Sequence, residues 1–168
     1  MAEPPDRTVR SGVPETFELD RATWDTLVEH AWSDFPYEVC GLLGVRPDGS
    51  IVHYRIDNAE RSMTYYTMDP KQLLRAMRDI EDEGWGLAIY HSHTHTEAYP
   101  SATDIRLAAY PDATYLIVTL QDRDRPEIRG FRIVDGEVAE QPVVVHDATA
   151  PATSSRVRSA TALPDRPG

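Results

Sequence analysis

The chain reads as an α/β protein of the α+β kind, with a mixed β-sheet flanked by helices, and three observations predict this. The elements run in the order helix, hairpin, helix, strand, helix and strands; Asp-Gly reversals join two of the strand pairs; and no internal repeat is present. At 168 residues, 40% hydrophobic and 27% charged, the chain is of a size that folds as one domain.

Phe17 to Asp34 reads as a helix, because Trp24, Leu27, Val28 and Ala31 recur on one face, and Pro36 ends it. The segments CGLLGVR and SIVHYRID are strands joined at Pro47-Asp48-Gly49, a composition that favours a tight reversal. Asp69 followed by Pro70 starts a second helix, whose stripe is Leu73, Leu74, Met77 and Ile80 and whose stop is Gly84. Leu87 to His93 is expected as a buried strand, Thr103 to Ala109 as a short helix and Thr114 to Leu120 as a second central strand, before Asp135-Gly136 turns a last hairpin. Residues 1–15 and 147–168, rich in Pro, Ser, Thr, Ala and Arg, are expected as mobile tails around a domain spanning 16–146.

Composition narrows the function classes. The 28 acidic residues against 17 Lys and Arg give a formal charge of -11, which repels a phosphate backbone and disfavours nucleic acid as partner. No run approaches the ~18 apolar residues of a membrane span, and the first residues lack the apolar core of a secretory signal, so a cytoplasmic location without membrane contact is expected. The single cysteine, Cys40, cannot form an internal disulfide or a thiolate-rich zinc site, so any metal must rest on His and carboxylate. The sequence leaves the oligomeric state open.

The chemistry concentrates in His91-Ser92-His93, followed by Ser101 and Asp104 in the spacing His-x-His-x7-Ser-x2-Asp. Side chains alternate across a strand, so His91 and His93 project from one face, while Ser101 and Asp104 share a face of the following helix. Two imidazoles and a carboxylate suit Zn²⁺ and leave a fourth tetrahedral position for water. Taken apart, the pieces have plain explanations, a pair of hydrogen-bonded histidines and a helix capping box. Together they would arise by chance on the order of once per thousand chains of this size. A water activated by zinc needs a group to take its proton and return one to the leaving amine, and Glu38, before the Gly-punctuated strand Cys40-Gly41-Leu42-Leu43-Gly44, is the candidate.

The combination Glu-x-x-Gly-x-Leu-x-Gly, His-Ser-His and Ser-x-x-Asp resembles the JAMM (MPN-plus) metallopeptidases over about Leu19 to Val145. The resemblance implies the JAMM/MPN, cytidine-deaminase-like architecture. It also implies His91, His93 and Asp104 as metal ligands, Glu38 as general acid/base and Ser101 as the residue that steadies the oxyanion. Thr94 stands where proline commonly follows the second histidine. The run from Thr94 to Ser101, with Asn58 to Ser62 and Arg132 to Gly136, is similar to actinobacterial peptidases that release cysteine from a ubiquitin-like sulfur carrier ending in Gly-Gly. That points to sulfur transfer or cysteine biosynthesis. Three alternatives stay open: a deubiquitinase-like isopeptidase acting on other ubiquitin-like conjugates, a non-catalytic MPN binding module, and a cysteine peptidase using Cys40. His95 is set outside the metal set as a loop histidine, Cys40 is expected as buried packing, and His30, His53 and His146 are expected at the surface.

Overall fold

The computed structural model describes residues 14–147 and 157–159. The elements are β1 (Phe17–Asp20), α1 (Arg21–Ser33), β2 (Cys40–Val45), β3 (Ile51–Ile56), α2 (Pro70–Glu83), β4 (Gly86–His93), α3 (Ala102–Leu107), β5 (Thr114–Thr119), β6 (Glu127–Val134), β7 (Glu137–Gln141), β8 (Val143–His146) and β9 (Val157–Ser159). The main sheet has the order β7-β6-β5-β4-β2-β3-β9, and β1 pairs with β8 in a separate parallel ribbon. Most of the two tail segments lies outside the described residues. Val157–Ser159, within the second, pairs in parallel with β3.

The sheet is mixed because β4 is parallel to β5 but antiparallel to β2. Both Asp-Gly reversals form: β2 and β3 pair from Cys40↔Ile56 to Val45↔Ile51, and Asp135 and Gly136 both take positive φ (51° and 78°), the backbone that a two-residue hairpin turn demands. The second helix starts and stops where expected, with the Asp69 carboxylate accepting the Lys71 and Gln72 amides and Gly84 left-handed at the end.

One boundary differs from the expectation: Phe17–Asp20 is a strand, not the first turn of a helix. Asp20 is the cap of α1, its carboxylate accepting the Thr23 amide at 2.7 Å, so the helix begins only after it. Leu74, placed in the α2 stripe by its spacing, is exposed; Ala76 and Ile80 carry the burial instead.

Side chains separate into two cores on the two faces of the sheet. Leu27 and Ala31 of α1 pack on Leu43, Ala88, Tyr90, Leu116 and Val118 on one face. On the other face, Ala76 and Ile80 of α2 and Ile105 of α3 pack on Leu42, Ile89 and Ile117. Among the described residues no helix is long and apolar enough to cross a membrane.

His30 and His53 are not at the surface; they are 8% and 5% exposed, His30 on the buried side of α1 and His53 on β3. The Tyr90 hydroxyl lies 2.6 Å from both His30 Nδ1 and His53 Nε2. A hydroxyl has one proton, so it donates to one ring and accepts an N–H from the other. Burial, assisted by the nearby Arg55 charge, pulls His30 down to about 3 and His53 to about 4, so both stay neutral near pH 7. His146 is exposed, as expected.

Candidate active site

The site forms where β4 ends. His91 and His93, two apart on one strand, both face the α2/α3 side and are buried. The crossover after β4 returns through α3, and its N-terminus delivers Asp104. The Asp104 Oδ2 lies 3.1 Å from His91 Nε2 and 3.1 Å from His93 Nε2, and the two imidazole nitrogens are 3.0 Å apart. Tetrahedral zinc-type bonds of 2.0–2.1 Å place ligand atoms about 3.4 Å apart, so a few tenths of an ångström separate this triangle from one that holds a divalent cation.

The orientation of these groups is set from behind. The His93 Nδ1–H donates to the Glu97 carbonyl at 2.8 Å, which leaves the Nε2 lone pair for the centre. His91 Nδ1 has no hydrogen-bond partner among the described residues; its ring is held by stacking on Tyr66, centroids 4.6 Å apart. The Ser101 amide donates to Asp104 Oδ2 at 2.8 Å while Ser101 Oγ accepts the Asp104 amide at 3.0 Å. Ser101 and Asp104 thus form the capping box that the spacing allowed, and the same contacts aim the carboxylate. Burial alone would raise Asp104, but hydrogen bonds from His91 and His93 outweigh it and hold the carboxyl well below its usual range. Burial lowers His91, whereas in His93 the contacts to Asp104 and the Glu97 carbonyl overcome burial and raise it. A divalent cation would compete with protons for these two nitrogens and this carboxylate oxygen.

Glu38 reaches the same place by register. Cys40 pairs with His91, so continuing the antiparallel ladder two residues sets Glu38 against His93 on the same face. Ser92 fixes that continuation from the opposite face: its amide donates to the Val39 carbonyl at 3.0 Å, and its Oγ accepts the Val39 amide at 2.9 Å. Glu38 is 4% exposed, its Oε2 is buried without a hydrogen-bond partner among the described residues, and burial pushes its pKa up to about 8, with His93 opposing the rise and Asp104 adding to it. The glycine three residues on is required by packing, since a Cβ at Gly41 would collide with the Tyr54 carbonyl and the Tyr90 ring.

The five residues expected from the sequence, Glu38, His91, His93, Ser101 and Asp104, therefore meet at one end of β4. Three contributors were not singled out for a role. Ser92 clamps the Glu38 segment, Tyr66 covers His91, and Asn58 ties the segment carrying Tyr66 to Glu38, its Nδ2 donating to the Glu38 and Tyr65 carbonyls. Only the Asn58–Ser62 similarity hinted at the last. Cys40 is buried, its thiol contacts the Ile56 carbonyl, and burial pushes it up to about 12, which disfavours a thiolate nucleophile. His95 is exposed and lies outside the triangle.

Comparison with known proteins agrees with this geometry. Residues 20–134 match the family described as prokaryotic homologs of the JAB domain. A CysO-cysteine peptidase of Mycobacterium tuberculosis is 48% identical over 125 residues, covering 72% of this chain and 85% of that protein. The desampylase of Haloferax volcanii is 33% identical over 107 residues, covering 59% of this chain and 77% of its own. A Desulfitobacterium hafniense protein solved in solution superposes with a TM-score of 0.68 at 34% identity, covering 78% of this chain and 93% of the other. A mixed sheet with helices on both faces, a His-His-Asp cluster able to hold a metal, and peptidases as named relatives lead to one conclusion: the chain belongs to the family of prokaryotic JAB-domain homologues and is a hydrolase of that family.

Proposed function

We propose that the protein is a zinc peptidase that hydrolyses the bond after the C-terminal Gly-Gly of a ubiquitin-like sulfur carrier, releasing an attached cysteine in the cytoplasm. The observation that carries this reading is a buried carboxyl, Glu38, set in register with His93 beside the His91, His93 and Asp104 triangle. Bound by those three side chains, zinc supplies Lewis acidity that polarises the scissile carbonyl and brings the pKa of water to about 7.

The protein's own groups do the rest. Glu38 accepts the proton of the attacking water and delivers it to the departing amine; burial raises its carboxyl to about 8 when no cation is beside it, and a bound cation would favour the carboxylate form that accepts the proton. The Ser101 hydroxyl uses its oxygen to accept the Asp104 amide, so its proton is free to donate to the developing oxyanion. An apolar cleft of about 260 Å³, lined by Leu42, Tyr66, Met68, Ile89 and Leu107, includes Asp104 in its wall and offers apolar surface to the acyl side of an extended chain. The carrier and the released residue rest on the relatives: a CysO-cysteine peptidase at 48% identity and a desampylase at 33%.

The test uses a carrier extended by cysteine after Gly-Gly, and the same carrier with alanine for the penultimate glycine, followed by intact mass. Loss of one cysteine from the first and slow cleavage of the second is the expected result. No cleavage of the first, with efficient hydrolysis of isopeptide-linked conjugates, would replace this reading with an isopeptidase.

A further inference from the structure

The two histidines of the cluster are fixed in different ways. A ligating imidazole is ordinarily oriented by an acceptor on its second nitrogen, as His93 is by the Glu97 carbonyl at 2.8 Å. His91 Nδ1 is buried with no such acceptor among the described residues. Its ring instead meets the edge of the His93 ring, centroids 4.9 Å apart, and the face of the Tyr66 ring, centroids 4.6 Å apart with the planes at 30°.

Tyr66 is itself held. It sits in the loop between β3 and α2, whose two ends are pinched together by the Asn58↔Met68 bridge and by the Ala59 amide, which donates to the Thr67 carbonyl at 2.8 Å. The Asn58 side chain uses every hydrogen-bonding position of its amide on this loop and on Glu38. Its Oδ1 accepts the Glu60 and Thr67 amides at 3.2 and 3.1 Å, and its Nδ2 donates to the Tyr65 carbonyl at 3.2 Å and to the Glu38 carbonyl at 3.0 Å. The Glu38 amide in turn donates to the Ser62 carbonyl at 2.8 Å. Both backbone groups of Glu38 therefore bind the loop whose ring lies on His91.

A neighbouring ring raises metal affinity only when it favours the loaded state over the empty one. A cation on Nε2 draws electron density out of the imidazole, and the face of a phenol ring attracts an electron-poor ring. The stack is thus stronger with the metal than without it, and it resists the tilt left open to an imidazole that lacks a second hydrogen bond. Tyr66 also lines the apolar cleft, a duty that needs bulk but no aromatic face.

We propose that Tyr66 is the positioning residue of His91, doing with its face what the Glu97 carbonyl does for His93, and that the Asn58-pinned loop sets it there in one frame with Glu38. This rests on the metal site of the reading above, and the experiment separates the two.

Zinc affinity is measured on the full chain by competition with a chromogenic chelator, and Co²⁺ added to the metal-free protein reports ligand geometry through its visible absorption. Tyr66→Phe keeps the face and should match wild type in both. Tyr66→Leu keeps an apolar wall for the cleft and removes the face; it should bind zinc about tenfold more weakly, the low end for loss of a group that orients a ligating imidazole, and change the Co²⁺ spectrum. Asn58→Ala should weaken zinc binding in wild type but not in the Tyr66→Leu background, since it reaches His91 through that ring. Leucine equal to phenylalanine in both measurements would reduce Tyr66 to a wall of the cleft and overturn the assignment, leaving the peptidase reading intact. The same loss from Asn58→Ala with and without Tyr66 would overturn the part given to the loop. Wild-type protein that takes up no zinc would remove the metal site, and this inference with it.

Discussion

Glu38→Gln should stabilise the metal-free protein, and by more as the pH rises. Glu38 has an ordinary value of 4.5 and is pushed up to about 8 in the fold, chiefly by burial, with Asp104 adding and His93 opposing. Below pH ~4.5 folded and unfolded chains both carry the proton, so wild type and variant differ little. Between about 4.5 and 8 only the unfolded chain ionises, so wild type loses stability at up to ~1.4 kcal/mol per pH unit. Above about 8 the loss levels off, with an upper value of about 5 kcal/mol and about 2 kcal/mol or more remaining once water relaxes around the ionised group. Glutamine has no proton to lose and escapes this penalty. The measurement is urea unfolding of both proteins with a strong chelator at several pH values from about 5 to about 8. A stability difference that widens with pH is expected, and added Zn²⁺ should flatten it, since a cation beside Glu38 favours the carboxylate. Parallel profiles would refute the reasoning, because Glu38 would then already be ionised in the fold at pH 5. The same variant should keep its zinc but lose roughly 10²- to 10⁴-fold in turnover.

Ser101→Ala should lower stability by about 1 kcal/mol through loss of the cap and lower turnover by roughly 10²- to 10³-fold, with zinc retained because the backbone amide still holds Asp104 Oδ2. A variant with full turnover would free the hydroxyl from any role at the oxyanion. Purified protein should bind one zinc per chain, activity should vanish with chelator and return with Zn²⁺, and the His91→Ala, His93→Ala double variant should lose the metal; unchanged zinc by elemental analysis would sink the site. Tyr90→Phe removes the hydroxyl shared by His30 and His53 and should cost about 3 kcal/mol in urea unfolding, because two buried ring nitrogens lose their partner. Its zinc content should not change, since Tyr90 faces the α1 side of the sheet.

What was legible in the sequence was mostly what local chemistry decides. Asp48-Gly49 and Asp135-Gly136 make tight reversals whatever lies elsewhere, and Asp69-Pro70 with Gly84 brackets a helix through its own caps. The clustering of His91, His93 and Asp104 was legible because His91 and His93 are two apart on one strand and Ser101 and Asp104 three apart at one helix start. Long-range pairing was not. Phe17–Asp20 becomes a strand only through β8, some 126 residues away, and nothing in its own pattern separates it from the helix that follows. The burial of His30 and His53 depends on one tyrosine hydroxyl that serves both rings, an arrangement no spacing announces. Tyr66 is invisible for a similar reason, since it acts on His91 by contact from a distant segment.

The His-Ser-His triplet works in two directions at once. Its outer residues look into the site, and its middle residue, pointing the opposite way, fastens the neighbouring chain that presents Glu38. Grafting two histidines and an aspartate onto a strand of another protein would, on this account, yield a metal binder and nothing more. On the proposed mechanism hydrolysis needs the hidden serine as well, because the placement of Glu38 beside the His91, His93 and Asp104 cluster is maintained from the back of the sheet, where Ser92 is fully buried.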